Sequence, residues 1–506
     1  MSPAQAESVL VTAAQMRAIE QTLFDQGLPV AALMEKVVAR VTQHLLARLS
    51  PGQTVGLLVG PGHNGADTLA IGRELWLKGY PVRIYHPFER AKELTLAHKK
   101  YAHYLGIPFV DNLQALADCD VLLDGLLGFG WEKALAPELV DLITTVNTWQ
   151  KSVISIDLPS GLHTDTGQPQ PVAIQATHTL CLGLGKVGLF LEPAQPYVGT
   201  LVRLDLDIPP ATIAAVIGDT PALYRLTAPA MRQALPLPRP ITTHKYQCGH
   251  LLLVVGSRTY GGAAVLAALG ARASGVGLLS VAVPQSLQWL ITSQVPEALV
   301  IPCPETDQGA IAQLPVDLDR YDLVAVGPGL TLAAKPVVTY LWSSDKPLLL
   351  DADALNALAP WSQTRSPWTV LTPHAGEFQR LFPALDVADR LGAVRQAAQM
   401  AQATVVLKGA KTLIARPNGT VAINAESTPG LARGGSGDVL TGLLGGLLAQ
   451  GVKQQRDLAA LTEVGVWWHA QTGLWLAQRY GELSVHPQPL AQHLGVVLGE
   501  ILRHGP

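Results

Sequence analysis

Apolar residues recur at helical spacing through the first fifty positions. Met16, Ile19, Leu23 and Phe24 form one stripe, and Leu33, Val37, Val38 and Val41 form another, which predicts helix between about Thr12 and Leu49. The pattern then shortens. VGLLV, Val55 to Val59, is a continuous apolar run of the kind a buried parallel strand needs. Pro81 to Pro87, Val121 to Leu123, Val153 to Ile156 and Leu201 to Leu206 predict further strands. A stretch rich in proline and alanine, Ile208 to about Arg239, interrupts the alternation and predicts a domain boundary near Asp219. Short apolar runs resume at Leu251 to Val255, Leu278 to Val283, Leu323 to Val326, Leu348 to Leu350, Thr369 to Leu371 and Thr404 to Leu407. A helix is expected over Ala263 to Ala273. Another, carrying Leu440, Leu443, Leu444, Leu447 and Leu448, should begin near Asp438. Strand and helix alternate throughout, so the chain reads as two α/β domains, residues 1–218 and 219–506.

The loops after the strands carry the candidate chemistry. VGLLV runs into GPGHNGADTLAIGREL, a strand, a glycine-rich loop and a helix, which opens a Rossmann-like unit. The spacing is not GxGxxG, so the dinucleotide fingerprint is absent. Asp67, Asp124 and Asp157 are expected just past strand ends, where ligands of open parallel sheets bind. Each could instead cap a following turn or helix. In the second half the candidates are Gly327 to Gly329, Asp351 and Asp353, His374 with Glu377, Lys408 to Thr412, and Gly434 to Asp438. A glycine-rich helix start suits a phosphate, because free N–H groups and the macrodipole favour an anion there. Asp438 contradicts that simple reading: it is either a helix cap or a base that takes a proton from a hydroxyl. No GxxxxGK[ST] occurs, so this is no P-loop enzyme. Taken singly, His374 reads as structural and Lys408 as solvated or salt-bridged, and Trp467, Trp468 and His469 read as core or interface.

Composition narrows the class. Of 506 residues, 48% are hydrophobic and 15% charged, which suits a well-buried globular chain. The net charge of −3 has no long run of either sign, so no nucleic-acid partner is expected. Cys119, Cys181, Cys248 and Cys303 lie far apart, with neither a zinc site nor a disulfide framework implied. No basic region followed by an apolar core opens the chain, and no apolar run approaches the ~18 residues of a membrane span. A cytoplasmic protein without a membrane partner is expected.

Several of these stretches, in this order, resemble a known family. GGSGDVLTG with LTPHAGEF, DADALNAL and VGPGL is similar to the ribokinase-like fold, and within it to the ADP-dependent NAD(P)H-hydrate dehydratases. GPGHNGAD, DGLLGFG and IDLPSG resemble the NAD(P)H-hydrate epimerase domain. The resemblance covers roughly Thr12 to Val497. It implies a Rossmann-like three-layer sandwich followed by a ribokinase-like α/β domain, fused as in bifunctional repair enzymes. The substrates would be NAD(P)H hydrated at carbon six of the nicotinamide ring, and ADP. The first domain would interconvert the R and S epimers. The second would phosphorylate the ring hydroxyl of the S form, making it a leaving group that the ring nitrogen expels, with AMP as by-product. The alternative is a small-molecule kinase with a non-catalytic N-terminal module.

The resemblance also implies roles. His63, Asn64, Gly65, Ala66 and Asp67 would line the hydrate site of the first domain. The loop Gly128, Phe129, Gly130, Trp131, Glu132, Lys133 and Ala134 would cover the nucleotide, and Asp157 would be the acid/base residue. Asn64, Asp124 and Ser160 would ligate K+. In the second domain Ala263, Gly329, His374 and Asp438 would contact the hydrate. Lys408, Gly409, Ala410, Lys411, Thr412 and Gly437 would hold ADP, which carries Mg2+. Asp438 would be the catalytic residue there. A homo-oligomer is expected. The family's NNGGDG reads HNGADT here, so a Cβ at Ala66 and Thr68 would narrow that loop, at a cost if either needs φ > 0. Val37-Val38 likewise replaces an Ala-Gly pair, Arg433 a threonine, and Ser427-Thr428 a Gly-Asn pair.

Overall fold

The computed structural model describes residues 3–131 and 134–503, so Glu132 and Lys133 lie outside the described residues. The chain forms two compact units, Met1–Pro221 and Ala222–Pro506, so the second begins three residues after the expected Asp219.

The first unit is built on six parallel strands: β1 (Val55–Val59), β2 (Val82–Tyr85), β3 (Val121–Gly125), β4 (Ser152–Ile156), β5 (His178–Leu182) and β6 (Thr200–Leu204). Their order across the sheet is β2-β1-β3-β4-β5-β6. The order reverses between β1 and β3, and a crevice opens at such a switch point beyond the carboxyl ends of the strands. Helices α1 (Ala13–Asp25), α2 (Val30–Leu46) and α3 (His63–Leu77) cover one core, in which Met16, Ile19, Val37, Val38 and Val41 are buried. The two predicted stripes are therefore two helices. Thr12 and Gln15 form a capping box that starts α1, and Gln26 to Pro29 separate it from α2. A short parallel pair, Leu10–Val11 with Gly185–Lys186, fastens the entry of α1 to a segment far along the chain.

HNGADT is not the loop that the sequence suggested. His63 to Thr68 form the first turns of α3, and neither Ala66 nor Thr68 has positive φ. Their Cβ atoms therefore carry no backbone penalty. Thr68 is useful instead: its hydroxyl donates to the Asn64 carbonyl. Asp67 accordingly sits on a helix, and Asp124 lies within β3; only Asp157 follows a strand end.

Among its described residues the second unit has ten strands: β7 (Leu223–Arg225), β8 (His250–Val254), β9 (Leu278–Pro284), β10 (Leu299–Cys303), β11 (Leu323–Val326), β12 (Leu348–Leu350), β13 (Thr369–Leu371), β14 (Thr404–Leu407), β15 (Thr412–Ala415) and β16 (Val421–Asn424). They lie in the order β10-β9-β8-β11-β12-β13-β14-β15-β16-β7. From β10 to β14 all neighbours are parallel, whereas β14-β15-β16 is an antiparallel meander. KGAKT is thus a hairpin connection, with Thr412 already in β15.

Helix α4 (Gly261–Ala273) packs against α6 (Ser436–Lys453), with α7 (Leu458–Tyr480) beside it. The α4–α6 approach depends on missing side chains. A Cβ on Gly442 would stand 1.8 Å from the Ala267 carbonyl oxygen, and one on Gly270 would stand 2.2 Å from that of Val439. Trp467, Trp468 and His469 are buried in α7, in line with the core reading. All four cysteines are buried and free. No helix among the described residues is long and apolar enough to cross a membrane.

Candidate active sites at two sheet ends

In the first unit a cavity of about 720 Å³ opens beyond β1, β3 and β4. Of the expected residues, His63, Asn64, Asp67, Gly128, Phe129, Gly130, Trp131 and Asp157 line it. Gly65 and Ala66 pack behind it in α3, and a Cβ on Gly65 would stand 2.0 Å from the Gly60 carbonyl oxygen. Ala134 is exposed and is not part of the lining. The indole N–H of Trp131 is buried and has no partner among the described residues, which leaves a donor for a ligand.

Asp157 stands at the cavity in a left-handed conformation, φ 72°. Few residues other than glycine adopt it, and such positions gather at functional sites. Its Oδ1 accepts from Lys186 Nζ at 2.5 Å and from the Leu182 N–H at 3.2 Å. Lys186 also donates to the Leu182 carbonyl and lies 5.5 Å from the centre of the Phe129 ring. Burial opposes the charge on Lys186, but the Asp157 carboxylate beside it more than compensates, and the ammonium is held above its ordinary range. Asp67 is likewise raised, well above the usual carboxylate range, chiefly by burial and then by Asp157, Glu20 and Glu35. Glu20, from α1, is raised to about 7 by burial, with Lys186 opposing and Asp157 adding. Sequence reasoning missed Lys186, Glu20 and Arg17, which also line the cavity. Lys186 follows a strand as LGLGK, a signal of the same kind as those read elsewhere. Glu20 lay on a helix judged only by its apolar stripe.

The three expected cation ligands meet around Leu127. Asn64 Nδ2 donates to the Leu127 and Ile156 carbonyls at 2.8 and 3.1 Å. Ser160 Oγ accepts from the Leu127 N–H and donates to Asp124 Oδ1 at 2.5 Å. Asp124 is wholly buried and receives Ser155 Oγ, Ser160 N and Leu126 N as well. Its donors are all neutral, and burial raises it above the usual carboxylate range despite them.

In the second unit the candidates converge where β11, β12, β13 and β14 end. Asp351 is the hub. Its Oδ1 accepts from Lys408 Nζ and Thr372 Oγ1, both at 2.8 Å, and its Oδ2 accepts from Thr441 Oγ1 at 2.7 Å. Glu377 lies 3.9 Å from Lys408. A Cβ on Gly437 would stand 3.5 Å from Lys408 Nζ, so the helix start and the lysine are neighbours. Burial opposes the Lys408 charge, but Asp351 and Glu377 raise it overall. Asp438 is half-buried and raised to about 7, first by burial, then by Asp351, with Lys408 opposing.

Asp438 is not the helix cap. The N-cap of α6 is Gly435 at φ 94°, and Asp438 stands three residues inside with no capping bond. His469 Nε2 lies 3.0 Å from the Ser436 carbonyl oxygen and so braces this helix start from α7. Burial lowers His469 to about 4, leaving it neutral, so Nε2–H is the donor. His374 proved to be a cap. Its Nδ1 accepts from the Gly376 and Glu377 N–H groups at the start of α5 (Ala375–Leu381), and the His374 N–H donates to the Glu377 carboxylate in return. Its ring is exposed, with Nε2 turned toward Glu377 at 3.5 Å. Gly329 and Ala263 lie side by side, since a Cβ on Gly329 would stand 2.9 Å from that of Ala263. Lys411 donates to the Ala425 carbonyl, and Gly409 and Ala410 are exposed in the hairpin turn. Arg433 reaches His486 and the Leu483 carbonyl instead of the cradle.

Comparison with known proteins places this chain among relatives over both halves. Residues 251–495 match the family described as NAD(P)H-hydrate dehydratase, and residues 30–188 match the YjeF-related protein N-terminus. A bifunctional NAD(P)H-hydrate repair enzyme of Thermosynechococcus vestitus is 51% identical, covering 96% of each chain. One from Synechocystis is 50% identical over 96% of this chain and 94% of its own. A crystal structure of an ADP/ATP-dependent NAD(P)H-hydrate dehydratase from Bacillus subtilis, co-crystallised with ATP and Mg2+, is 30% identical. It covers 55% of this chain and 98% of its own, with a TM-score of 0.49.

Proposed function

Because the chain belongs to the bifunctional NAD(P)H-hydrate repair enzymes, we propose that it restores damaged nicotinamide cofactors at two sites. The first unit epimerises R and S NAD(P)H hydrate, and the second dehydrates the S form at the expense of ADP. The observation that carries this reading is likeness at half of all positions along nearly the whole chain, with both sets of motifs gathered at sheet ends.

In the second unit the N–H groups of Ser436 to Asp438 would cradle the transferring phosphoryl group, with Lys408 alongside as its counter-charge. Asp438, raised to about 7, would take the proton of the ring hydroxyl as that oxygen attacks phosphorus. Among the described residues no three His, Cys, Asp or Glu side chains form a metal cage, so magnesium would enter on the nucleotide's phosphates. Thr412 and Lys411 border the turn that would meet the nucleotide. In the first unit the cavity would take the hydrate, with Asp157 beside its ring. Asn64, Asp124 and Ser160 offer amide, carboxylate and hydroxyl oxygens, and a bound K+ would offset the buried Asp124 charge, so the donor set fits that ion. The ion would fix the loop from Leu126 to Trp131.

A mixed-epimer hydrate incubated with ADP and magnesium provides the test. Complete conversion to NAD(P)H with one AMP per turnover is expected, faster than the epimers interconvert unaided. A stall once the S form is consumed would remove the epimerase half. Phosphorylation of a vitamin-sized alcohol without hydrate repair would replace the reading with a small-molecule kinase.

A further inference from the structure

Epimerisation at one carbon needs a proton given on one side and a proton taken on the other. The resemblance assigns an acid/base role to only one carboxyl here, Asp157, yet the cavity holds others. We propose that Glu20 is the proton donor of the epimerase site and Asp157 Oδ2 the acceptor, with Lys186 as the residue that positions Asp157. This rests on reading the first unit as the epimerase.

Lys186 and the Leu182 N–H both occupy Oδ1 of Asp157, and no described donor occupies Oδ2. That oxygen is the one left to receive a proton. Glu20 lines the same cavity and forms no hydrogen bond or ion pair with a described residue, so its carboxyl is available to a ligand. The charged groups that line the cavity with it are Lys186 and Asp157, Asp67 from α3, Arg17 on its own helix, and Arg90 and Lys92. Burial, opposed by Lys186 and aided by Asp157, leaves Glu20 near 7, where a group both gives and regains protons readily. Asp67 is buried in the first turns of α3, with its carboxyl raised chiefly by that burial, whereas Glu20 is half-buried at the cavity wall, where a ligand can reach it.

Carbon six carries a hydroxyl and is bonded to the ring nitrogen. Glu20 gives its proton to the hydroxyl oxygen; the C–O bond breaks with its electron pair and water leaves. The nitrogen lone pair forms the N=C double bond, and the ring carries the positive charge. A water then adds to the other face. Its oxygen makes the new C–O bond, the N=C pair returns to nitrogen, and Asp157 takes the proton released. One proton has moved from Glu20 to Asp157, and exchange with solvent restores both.

The test is Glu20→Gln in the full chain, with R-to-S conversion followed directly. The expected result is a fall in kcat of about 100-fold with KM changed little, and normal dehydration of S hydrate by the same sample. Wild-type kcat should decline as pH rises through about 7, because the protonated acid is the active form, and this limb should vanish in Glu20→Gln. Should that variant melt early, Glu20→Asp serves: partial kcat with a displaced limb supports the proposal. Lys186→Met should lower kcat and move the profile, with Lys186→Arg restoring part. Glu20→Gln with undiminished kcat, or with the limb intact, overturns the assignment. A wild-type chain that dehydrates S hydrate but never converts R overturns the epimerase reading itself, and this proposal with it.

Discussion

Lys408 reaches from the end of β14, past β13, to Asp351 at the end of β12, and closes a 2.8 Å ion pair in which the carboxylate is only 2% exposed. The lysine thus has two tasks, since it holds the sheet end together and faces the phosphate cradle. Lys408→Met would leave Asp351 buried with only hydroxyl donors. Breaking such a pair costs about 3 kcal/mol, at the low end because Lys408 is itself partly exposed. Calorimetry should show a lowered Tm for the second unit, and steady-state kinetics a raised KM for ADP. An unchanged Tm would mean that Thr372 and Thr441 satisfy the carboxylate unaided.

Asp438→Asn should remove dehydration by about 100-fold or more while leaving the fold intact. Retained turnover would return this residue to a structural role. In the wild type, Asp438 must be ionised to accept a proton, so dehydration should fall as pH drops through about 7. Stability should move oppositely. Its folded value lies above the ordinary 3.8, so the folded chain binds a proton more tightly than the unfolded chain between about 4 and 7. That contribution is present at low pH and is lost as pH rises through about 7. The Asn variant lacks this slope, and its Tm relative to wild type should be higher at pH 8 than at pH 5.

The two half-reactions should therefore have opposed pH profiles. Epimerisation needs a protonated acid and dehydration an ionised base, each set near 7. Separate initial-rate assays on one preparation would read this directly; parallel profiles would show that other groups limit one of the steps.

Potassium should stabilise the first unit through Asp124. Tm measured in potassium chloride should exceed that in tetramethylammonium chloride at equal ionic strength, the stabilisation reaching about 2.7 kcal/mol at a hundredfold excess over Kd. Asp124→Asn should abolish the difference. If the variant keeps the full response, the cation binds elsewhere.

Gly442→Leu should be among the most damaging changes far from either chemistry, because the Ala267 carbonyl occupies the place of its Cβ. Forcing α4 and α6 apart would cost at least about 1–3 kcal/mol. It would also displace Ala263 and the phosphate cradle together. Loss of dehydration with epimerisation intact is the expected pattern, read by paired assays.

Much of this was legible in the sequence because parallel strands buried on both faces leave short apolar runs, and their ends carry the chemistry. Asp157, Asp351 and Lys408 were visible for that reason. HNGADT misled because glycines suggest a loop, whereas Gly65 is needed for close packing inside a helix. His374, read singly as structural, does cap its own helix through Nδ1, and this leaves Nε2 as the nitrogen for the contact that the resemblance implies. Glu20 was hidden by its place on an amphipathic helix, where a polar residue beside an apolar stripe reads as solvated. Only tertiary folding turns it into a cavity.

The short pairing of Leu10–Val11 with Gly185–Lys186 has a consequence for biosynthesis. Its first strand leaves the ribosome long before its second. At about 5–20 residues per second the leading segment waits roughly ten to thirty seconds for its partner. Until then Glu20 and Lys186 cannot share a wall, so the first site is finished only when its last strands have been made.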